Sequence, residues 1–148
     1  VGLDPSKVTI IRSTEKHQLS AEENIDIARS IIKDPDNKGC LIVLDSASSL
    51  CAMSEMIDAT SGEIRSKGPK ILANFCRTMA GAVNVMNCTI IFIQHLINNT
   101  SGYGEKLIVD GGEKVKYQAD VKLVTKGKPD KWEEGGNLIG QVIEWEVI

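Results

Sequence analysis

Apolar residues recur along the chain in two patterns, one typical of helices and one typical of buried strands. The first helical pattern follows the capping-box sequence Ser20-Ala21-Glu22-Glu23 and continues at positions 25, 28, 31 and 32. A second one runs from Ile71 to Met86. Continuous apolar runs at Leu41–Leu44 and Thr89–Ile93 predict strands of the kind that a parallel sheet buries on both faces. The β-branched run Val8–Arg12 predicts a further short strand.

Polar segments separate these elements. Positions 59–69 and 97–110 are predicted to be loops, and loops this long in a compact domain are usually functional. Gly111 and Gly112 are predicted to start a short helix that continues to Tyr117. Strands at 121–125 and 139–148, joined by a charged turn at 129–136, are expected to extend the sheet in antiparallel fashion. The order of elements predicts an α/β fold with a mostly parallel sheet flanked by helices.

Composition narrows the class of protein. The 148 residues suit one domain, and the 42% hydrophobic content is enough for a core. No run of about 18 apolar residues and no signal peptide is visible, so neither a membrane span nor export is expected. The net charge of −3 means that any contact with nucleic acid must rely on local positive patches. Four cysteines without C-x-x-C spacing are expected to be buried and reduced, as in a cytoplasmic protein.

Polar side chains follow two of the predicted strands. Asp45 and Ser46 come directly after the run Leu41–Leu44, and Gln94 and His95 follow Ile93. In parallel sheets, ligands bind at the carboxyl ends of the strands. A carboxylate there can organise Mg²⁺ beside the phosphates of a nucleotide, and a polar pair can bind a phosphate or a water. From the residues alone, Asp45 can equally be a cap of the following turn, and His95 an ordinary histidine beside a loop.

In combination and in order, these elements resemble the core of RecA-type DNA recombinases over nearly the whole chain. The matching segments are LIVLDSASSL at 41–50, Arg77-Thr78-Met79-Ala80-Gly81, TIIFIQH at 89–95 and GGEKVKYQADVKL at 111–123. His95 and the sequence YQAD at 117–120 resemble phage recombinases of the UvsX type more closely than bacterial RecA. The resemblance implies a RecA-like ATPase core, of which 1–148 would be the C-terminal part.

The resemblance also implies roles for individual residues. Asp45 would be the Walker B acid that binds Mg²⁺, supported by Ser46, and Gln94 and His95 would contact ATP and sense its terminal phosphate. Single-stranded DNA would contact loops at about 58–68 and 97–110. Arg77, Gly111 and Gly112 match positions that contact the DNA backbone in the family. Positive charge for DNA binding would be added by Arg65, Lys67, Lys114 and Lys116, each of which can equally be an ordinary solvated surface residue. Glu113 departs from the neutral polar residue expected after the two glycines, which weakens the match there.

The chain contains no G-x-x-x-x-G-K-[ST] phosphate-binding loop, and it starts at Val1 and ends within a predicted strand. We therefore expect a piece of a larger cytoplasmic protein, bacterial or from a phage-infected cell, that forms helical filaments on DNA and exchanges strands. The piece alone is expected not to hydrolyse ATP. Three alternatives stay open: another RecA-fold ATPase such as a hexameric helicase or clock-type protein, a non-catalytic module that binds DNA or protein, and an unrelated α/β domain.

Overall fold

A computed structural model describes residues 4–57, 67–100, 103–104, 106–110 and 113–148, with the backbone alone at 113 and 114. The chain divides into two units, Val1–Val115 and Lys116–Ile148. The first unit contains helices α1 (Ala21–Lys33), α2 (Met53–Ile57) and α3 (Gly68–Met86), with strands β1 (Leu41–Asp45), β2 (Thr89–Ile93), β3 (Leu96–Asn98) and β4 (Leu107–Val109). Helix α4 (Glu113–Lys116) lies at the boundary, and strands β5 (Leu123–Glu134) and β6 (Asn137–Val147) form the second unit.

Helix α1 begins where the sequence predicts it, at a complete capping box. The Ser20 hydroxyl accepts from the Glu23 amide at 3.2 Å, and the Glu23 carboxylate accepts from the Ser20 amide at 2.8 Å. These two bonds satisfy backbone donors that have no partner within a helix. The Ser20 hydroxyl also donates to the Glu23 carboxylate at 3.0 Å. The backbone amide and the hydroxyl of Ser20 lower the pKa of Glu23 because they stabilise the charged carboxylate. The predicted helical face is confirmed, with Ile25, Ala28 and Ile32 buried.

Strands β1 and β2 pair in parallel, in the register Leu41↔Thr89 to Asp45↔Ile93. One face of this pair packs on α1 and α3, where the core consists of Ile25, Ala28, Ile32, Ala47, Leu72, Phe75, Met79 and Val115. The rings of Phe75 and Phe92 meet edge to face, with centroids 6.4 Å apart. The other face of the pair is open, as Leu41 is 60% exposed. The expectation that these strands are buried on both faces is therefore wrong for the described chain.

Helix α3 starts at Gly68, three residues before the predicted Ile71, and ends at the predicted Met86. Asn87 ends it in the left-handed region at φ 53°, a common way for helices to terminate. The amide of Gly39 then donates to the Met86 carbonyl at 2.8 Å, which holds the start of β1 beside the end of this helix.

The predicted loop at 97–110 is partly wrong, because both of its ends are strands. Strands β3 and β4 pair antiparallel, from Leu96↔Val109 to Asn98↔Leu107. The two strands contain only short apolar runs, Leu96-Ile97 and Leu107–Val109, which do not stand out in a polar segment. The predicted loop around 59–69 lies mostly outside the described residues, and its last two residues, Gly68 and Pro69, belong to α3.

The second unit is a long antiparallel hairpin of β5 and β6. The predicted charged turn at 129–136 is wrong, because β5 continues through it to Glu134. The turn consists of Gly135 and Gly136, whose positive φ values of 57° and 82° suit a tight hairpin. Pro129 is accommodated where the register shifts between Lys126 and Asp130.

The sheet differs from the predicted mostly parallel one. Among the described strands there are three two-stranded sheets, one parallel and two antiparallel, so β5 and β6 do not extend the β1–β2 pair. Val8–Arg12 is not a strand: its residues are exposed and pair with no described strand, and an extended segment needs a ladder partner to be stable. The chain is thus a mixed α/β structure with a small parallel sheet. Across the described ranges, no helix combines the length and the apolar character that a bilayer crossing requires.

Candidate functional site

The end of β1 presents polar groups at one edge of the parallel pair. Asp45 is the last residue of the strand and is exposed, and Ser46 follows it across a cis peptide bond. A short 3₁₀ turn, Ala47–Ser49, comes next and buries Ala47 in the core. No described residue bonds to the Asp45 carboxylate, so the carboxylate faces solvent at the carboxyl end of the strand.

Gln94 and His95 lie at the same edge. Since Asp45 pairs with Ile93, the residues that follow each strand leave the sheet side by side. His95 is exposed, whereas the Gln94 side-chain nitrogen Nε2 is enclosed and has no hydrogen-bond partner among the described residues. An enclosed amide without a partner costs about 1–3 kcal/mol, so an additional acceptor at this position would be stabilising.

Ser48 joins the two strand ends, and sequence reasoning did not single it out. Its hydroxyl accepts from the His95 amide at 3.0 Å and donates to the Asp110 carbonyl at 3.0 Å. The Asp110 amide in turn donates to the His95 carbonyl at 2.8 Å. The turn after β1, the end of β2 and the end of the β3–β4 hairpin are thereby held together. A serine in a run of small residues gives no pattern that reveals such a bridge.

A second polar cluster lies before α3. The Glu55 carboxylate accepts from the backbone amides of Ala52 at 2.7 Å and Lys67 at 2.6 Å. These two amides, that of Ala52 first, lower the pKa of Glu55 because they stabilise its charged form. The Lys67 ammonium donates to the Ser54 hydroxyl at 2.9 Å. Lys67, predicted to contact DNA, therefore already has a local partner but keeps further donors.

Arg77 lies on the exposed face of α3 and donates to the Asn74 side chain at 2.9 Å. Lys70 lies seven residues earlier, two helical turns away, and thus on the same face. Helix α3 contains no acidic residue, so this face carries uncompensated positive charge along the helix itself. Lys70 was missed from the sequence because a single lysine is an unremarkable surface residue until a helix aligns it with Arg77.

The remaining predicted DNA-contacting residues are not positioned here. Arg65, Gly111 and Gly112 lie outside the described residues, as does the side chain of Lys114. Their roles stay predictions.

The side chains at this strand edge offer few ligands for a magnesium ion. Within the described part of the chain there is no cluster of three or more His, Cys, Asp or Glu side chains that could hold a metal. Mg²⁺ in nucleotide sites usually keeps several waters and is bound through one or two carboxylates together with phosphates. The single exposed carboxylate of Asp45 fits a site of that kind and does not fit an all-protein metal cage.

Fold and site together define a mixed α/β protein whose polar residues collect at the carboxyl edge of a parallel strand pair, the edge where such sheets bind ligands. No family model matches the chain. Among curated proteins it is similar to Protein RecA of Thermotoga maritima, with 28% identity over 152 aligned positions that include all of this chain and 40% of the relative. It is also 27% identical to Protein RecA of Sulfurimonas denitrificans over 129 residues, 86% of this chain and 36% of the relative. Protein RecA of Clostridium tetani is 23% identical over 122 residues.

The chain is therefore similar in sequence to RecA proteins over most or all of its length, as the sequence motifs indicated. It spans about a third to two fifths of the length of the curated relatives that it matches.

Proposed function

We propose that this chain is the C-terminal part of the ATPase core of a recombination and DNA-repair protein, which binds single-stranded DNA and exchanges strands in an ATP-dependent filament. One observation carries the proposal. In a chain similar to RecA over most of its length, the parallel register brings Asp45-Ser46 and Gln94-His95 to one strand edge. The closer likeness of His95 to phage recombinases remains a prediction within this proposal.

The edge has the chemistry that a nucleotide with Mg²⁺ needs. Phosphoryl transfer depends mainly on positioning and on electrostatic stabilisation of the phosphates. The exposed Asp45 carboxylate would hold the ion through water, with Ser46 beside it. The Nε2 of Gln94, which has no hydrogen-bond partner in the part of the chain that the structure describes, would donate to a phosphate oxygen or to an ordered water. The phosphate-binding loop would come from residues beyond these 148, since the sequence contains none.

Ser48 supplies a route from this edge to the segment proposed to contact DNA. A change in the position of His95 on contact with the terminal phosphate would act on Ser48 and, through it, on Asp110. Asp110 directly follows β4, so the β3–β4 hairpin would respond to the state of the nucleotide. In this proposal the segment 97–110 binds DNA, and the pairing of β3 with β4 fixes its two ends.

The positive face of α3 is the described surface best suited to DNA. Contacts of Lys and Arg with phosphates supply most of the affinity in sequence-independent binding. Lys70 and Arg77 are exposed there, while the Lys67 ammonium is shared with Ser54. The mode of binding expected is therefore salt-sensitive and nearly indifferent to base sequence.

The test is ATP hydrolysis by the complete protein that carries these residues, with and without single-stranded DNA, for the wild type and Asp45→Asn. Loss of a charge that organises the phosphates should lower DNA-stimulated turnover by roughly 10²-fold or more. Asp36→Asn is the matched control, because Asp36 is an exposed acid in the turn before β1, whereas Asp45 lies at the opposite end of that strand.

Wild-type turnover in Asp45→Asn would refute the assignment of the nucleotide site. Hydrolysis that DNA does not stimulate would favour a hexameric helicase or clock-type ATPase. Absence of hydrolysis in the complete protein, with salt-dependent DNA binding retained, would favour a non-catalytic binding module.

A further inference from the structure

Two cysteines far apart in sequence lie side by side at the starts of the parallel strands. Cys40 directly precedes β1 and Cys88 directly precedes β2, one position before the pair Leu41↔Thr89. Their Sγ atoms are 3.5 Å apart. The Thr89 amide donates to the Cys40 carbonyl at 2.9 Å, so the strand pairing itself holds the two residues together. Neighbouring strands lie about 4.7–4.9 Å apart, which falls within the Cα separation that a disulfide spans.

We propose that Cys40 and Cys88 are a site of reversible oxidation, at which a low-molecular-weight disulfide converts the two thiols into an intramolecular disulfide bond. The thiolate of Cys40 attacks the small disulfide and releases one small thiol, leaving a mixed disulfide on Cys40. The thiolate of Cys88 then attacks the Cys40 sulfur and releases the second small thiol. Two protein thiols are oxidised, the small disulfide is reduced to two thiols, and the two protons pass to the departing sulfurs.

The surroundings assign the order of these steps. Cys40 is half-buried and Cys88 is only 9% exposed, so an external disulfide reaches Cys40 first. Burial raises the pKa of Cys40, and the hydrogen bond with Cys88 raises it further. Since the thiolate is the attacking species, oxidation should be slow at neutral pH and faster as the pH rises.

The other two cysteines are not equivalent. Cys51 is half-buried and its sulfur lies 3.7 Å from the adjacent Ala52 carbonyl, and Cys76 lies on α3. Neither has a thiol neighbour among the described residues. Cys76 therefore serves as the internal control for reactivity that comes from exposure alone.

The position of the pair predicts what oxidation changes. Cys40 lies five residues before Asp45, so the bond would form about 16 Å from the polar strand edge at a rise of 3.3 Å per residue. A link between residues 40 and 88 restricts the unfolded chain and should stabilise the fold. Oxidation should therefore raise the midpoint of thermal unfolding without altering the groups at the opposite edge.

The experiment uses the full chain carrying Cys51→Ser. This variant is needed because trypsin leaves Cys40 and Cys51 on one peptide, residues 39–65, while Cys88 lies on residues 78–106. The folded protein is incubated with oxidised glutathione at mildly alkaline pH, free thiols are alkylated, and the digest is analysed by mass spectrometry without reduction. We expect these two peptides linked, a mass loss of two hydrogens, no retained glutathione, and a thermal midpoint several degrees higher that returns on reduction.

Cys88→Ala provides the matched control. Without the second thiol, Cys40 should keep glutathione as a stable mixed disulfide, and the rise in thermal midpoint should vanish. The proposal is overturned if the folded Cys51→Ser chain retains both thiols, if glutathione stays on Cys40 and Cys88 without a link, or if the link forms only in denaturant. Should Cys88→Ala fail to fold, the Cys51→Ser chain alone still decides between these outcomes.

Discussion

Replacement of Ser48 by alanine tests the bridge between the two strand ends. The substitution removes one hydroxyl and with it two hydrogen bonds, one from the His95 amide and one to the Asp110 carbonyl, each of 3.0 Å. The bond from the Asp110 amide to the His95 carbonyl remains. We therefore expect local loosening of the segment after β2 with little change in the core.

The magnitude follows from the surroundings of the two bonds. An intramolecular hydrogen bond contributes about 0.5–1.5 kcal/mol net to stability. His95 is exposed, so water can replace the lost acceptor of its amide at a small cost in free energy. Ser48 is half-buried, so the loss of its bond to the Asp110 carbonyl costs more free energy. Together the loss should be about 1–2 kcal/mol in the local opening free energy, which corresponds to a roughly 5- to 30-fold change in the opening equilibrium.

Hydrogen exchange followed by NMR measures this directly. The protection of the His95 amide should fall 5- to 30-fold by the same conversion, while amides within β2 keep theirs. Ser49→Ala is the matched control, since the Ser49 hydroxyl lies on the same turn but donates only to the Ser46 carbonyl at 2.8 Å. Equal losses of protection in both variants, or no loss in Ser48→Ala, would refute the bridge.

Three further predictions concern α3 and its start. Gly68→Ala should destabilise the fold by about 1–3 kcal/mol in urea titrations, because the added Cβ would collide with the Leu50 carbonyl oxygen. Gly81→Ala places its Cβ in open space and should stabilise the helix by about 0.5–1 kcal/mol. Changes of the same sign in the two variants would contradict this packing. The pKa of Glu55 lies below its ordinary 4.5 in the fold, so its contribution to stability is present above that value and is lost as pH falls through the lower folded pKa. Glu55→Gln should flatten this acid-side decline in the urea midpoint, and an unchanged pH profile would count against the contact. Under the proposed function, Lys70→Ala and Arg77→Ala should each reduce the slope of log affinity for single-stranded DNA against log salt concentration by roughly 0.7. An unchanged slope would show that DNA does not bind to this face of α3.

Local features were predictable because their causes are local. The bonds of the capping box at Ser20 and Glu23 involve residues three apart, so the start of α1 followed from the sequence. The apolar runs at β1 and β2 and the spacing along α3 gave those elements to within a few residues. The positions of the polar pairs Asp45-Ser46 and Gln94-His95 at the ends of β1 and β2 were predictable for the same reason, since each pair lies at the end of an apolar run.

Only tertiary structure decided the rest, because the deciding contacts join residues far apart in the chain. A β-branched run such as Val8–Arg12 forms a strand only with a pairing partner, and none of the described strands pairs with it. By contrast, a charged segment that contains a proline forms part of β5 because β6 pairs with it. Ser48 meets Asp110 across 62 positions, and Cys40 meets Cys88 across 48. Residue type and spacing do not predict contacts between residues so far apart in the sequence. They arise from the parallel register of two strands and from the hairpin that follows them.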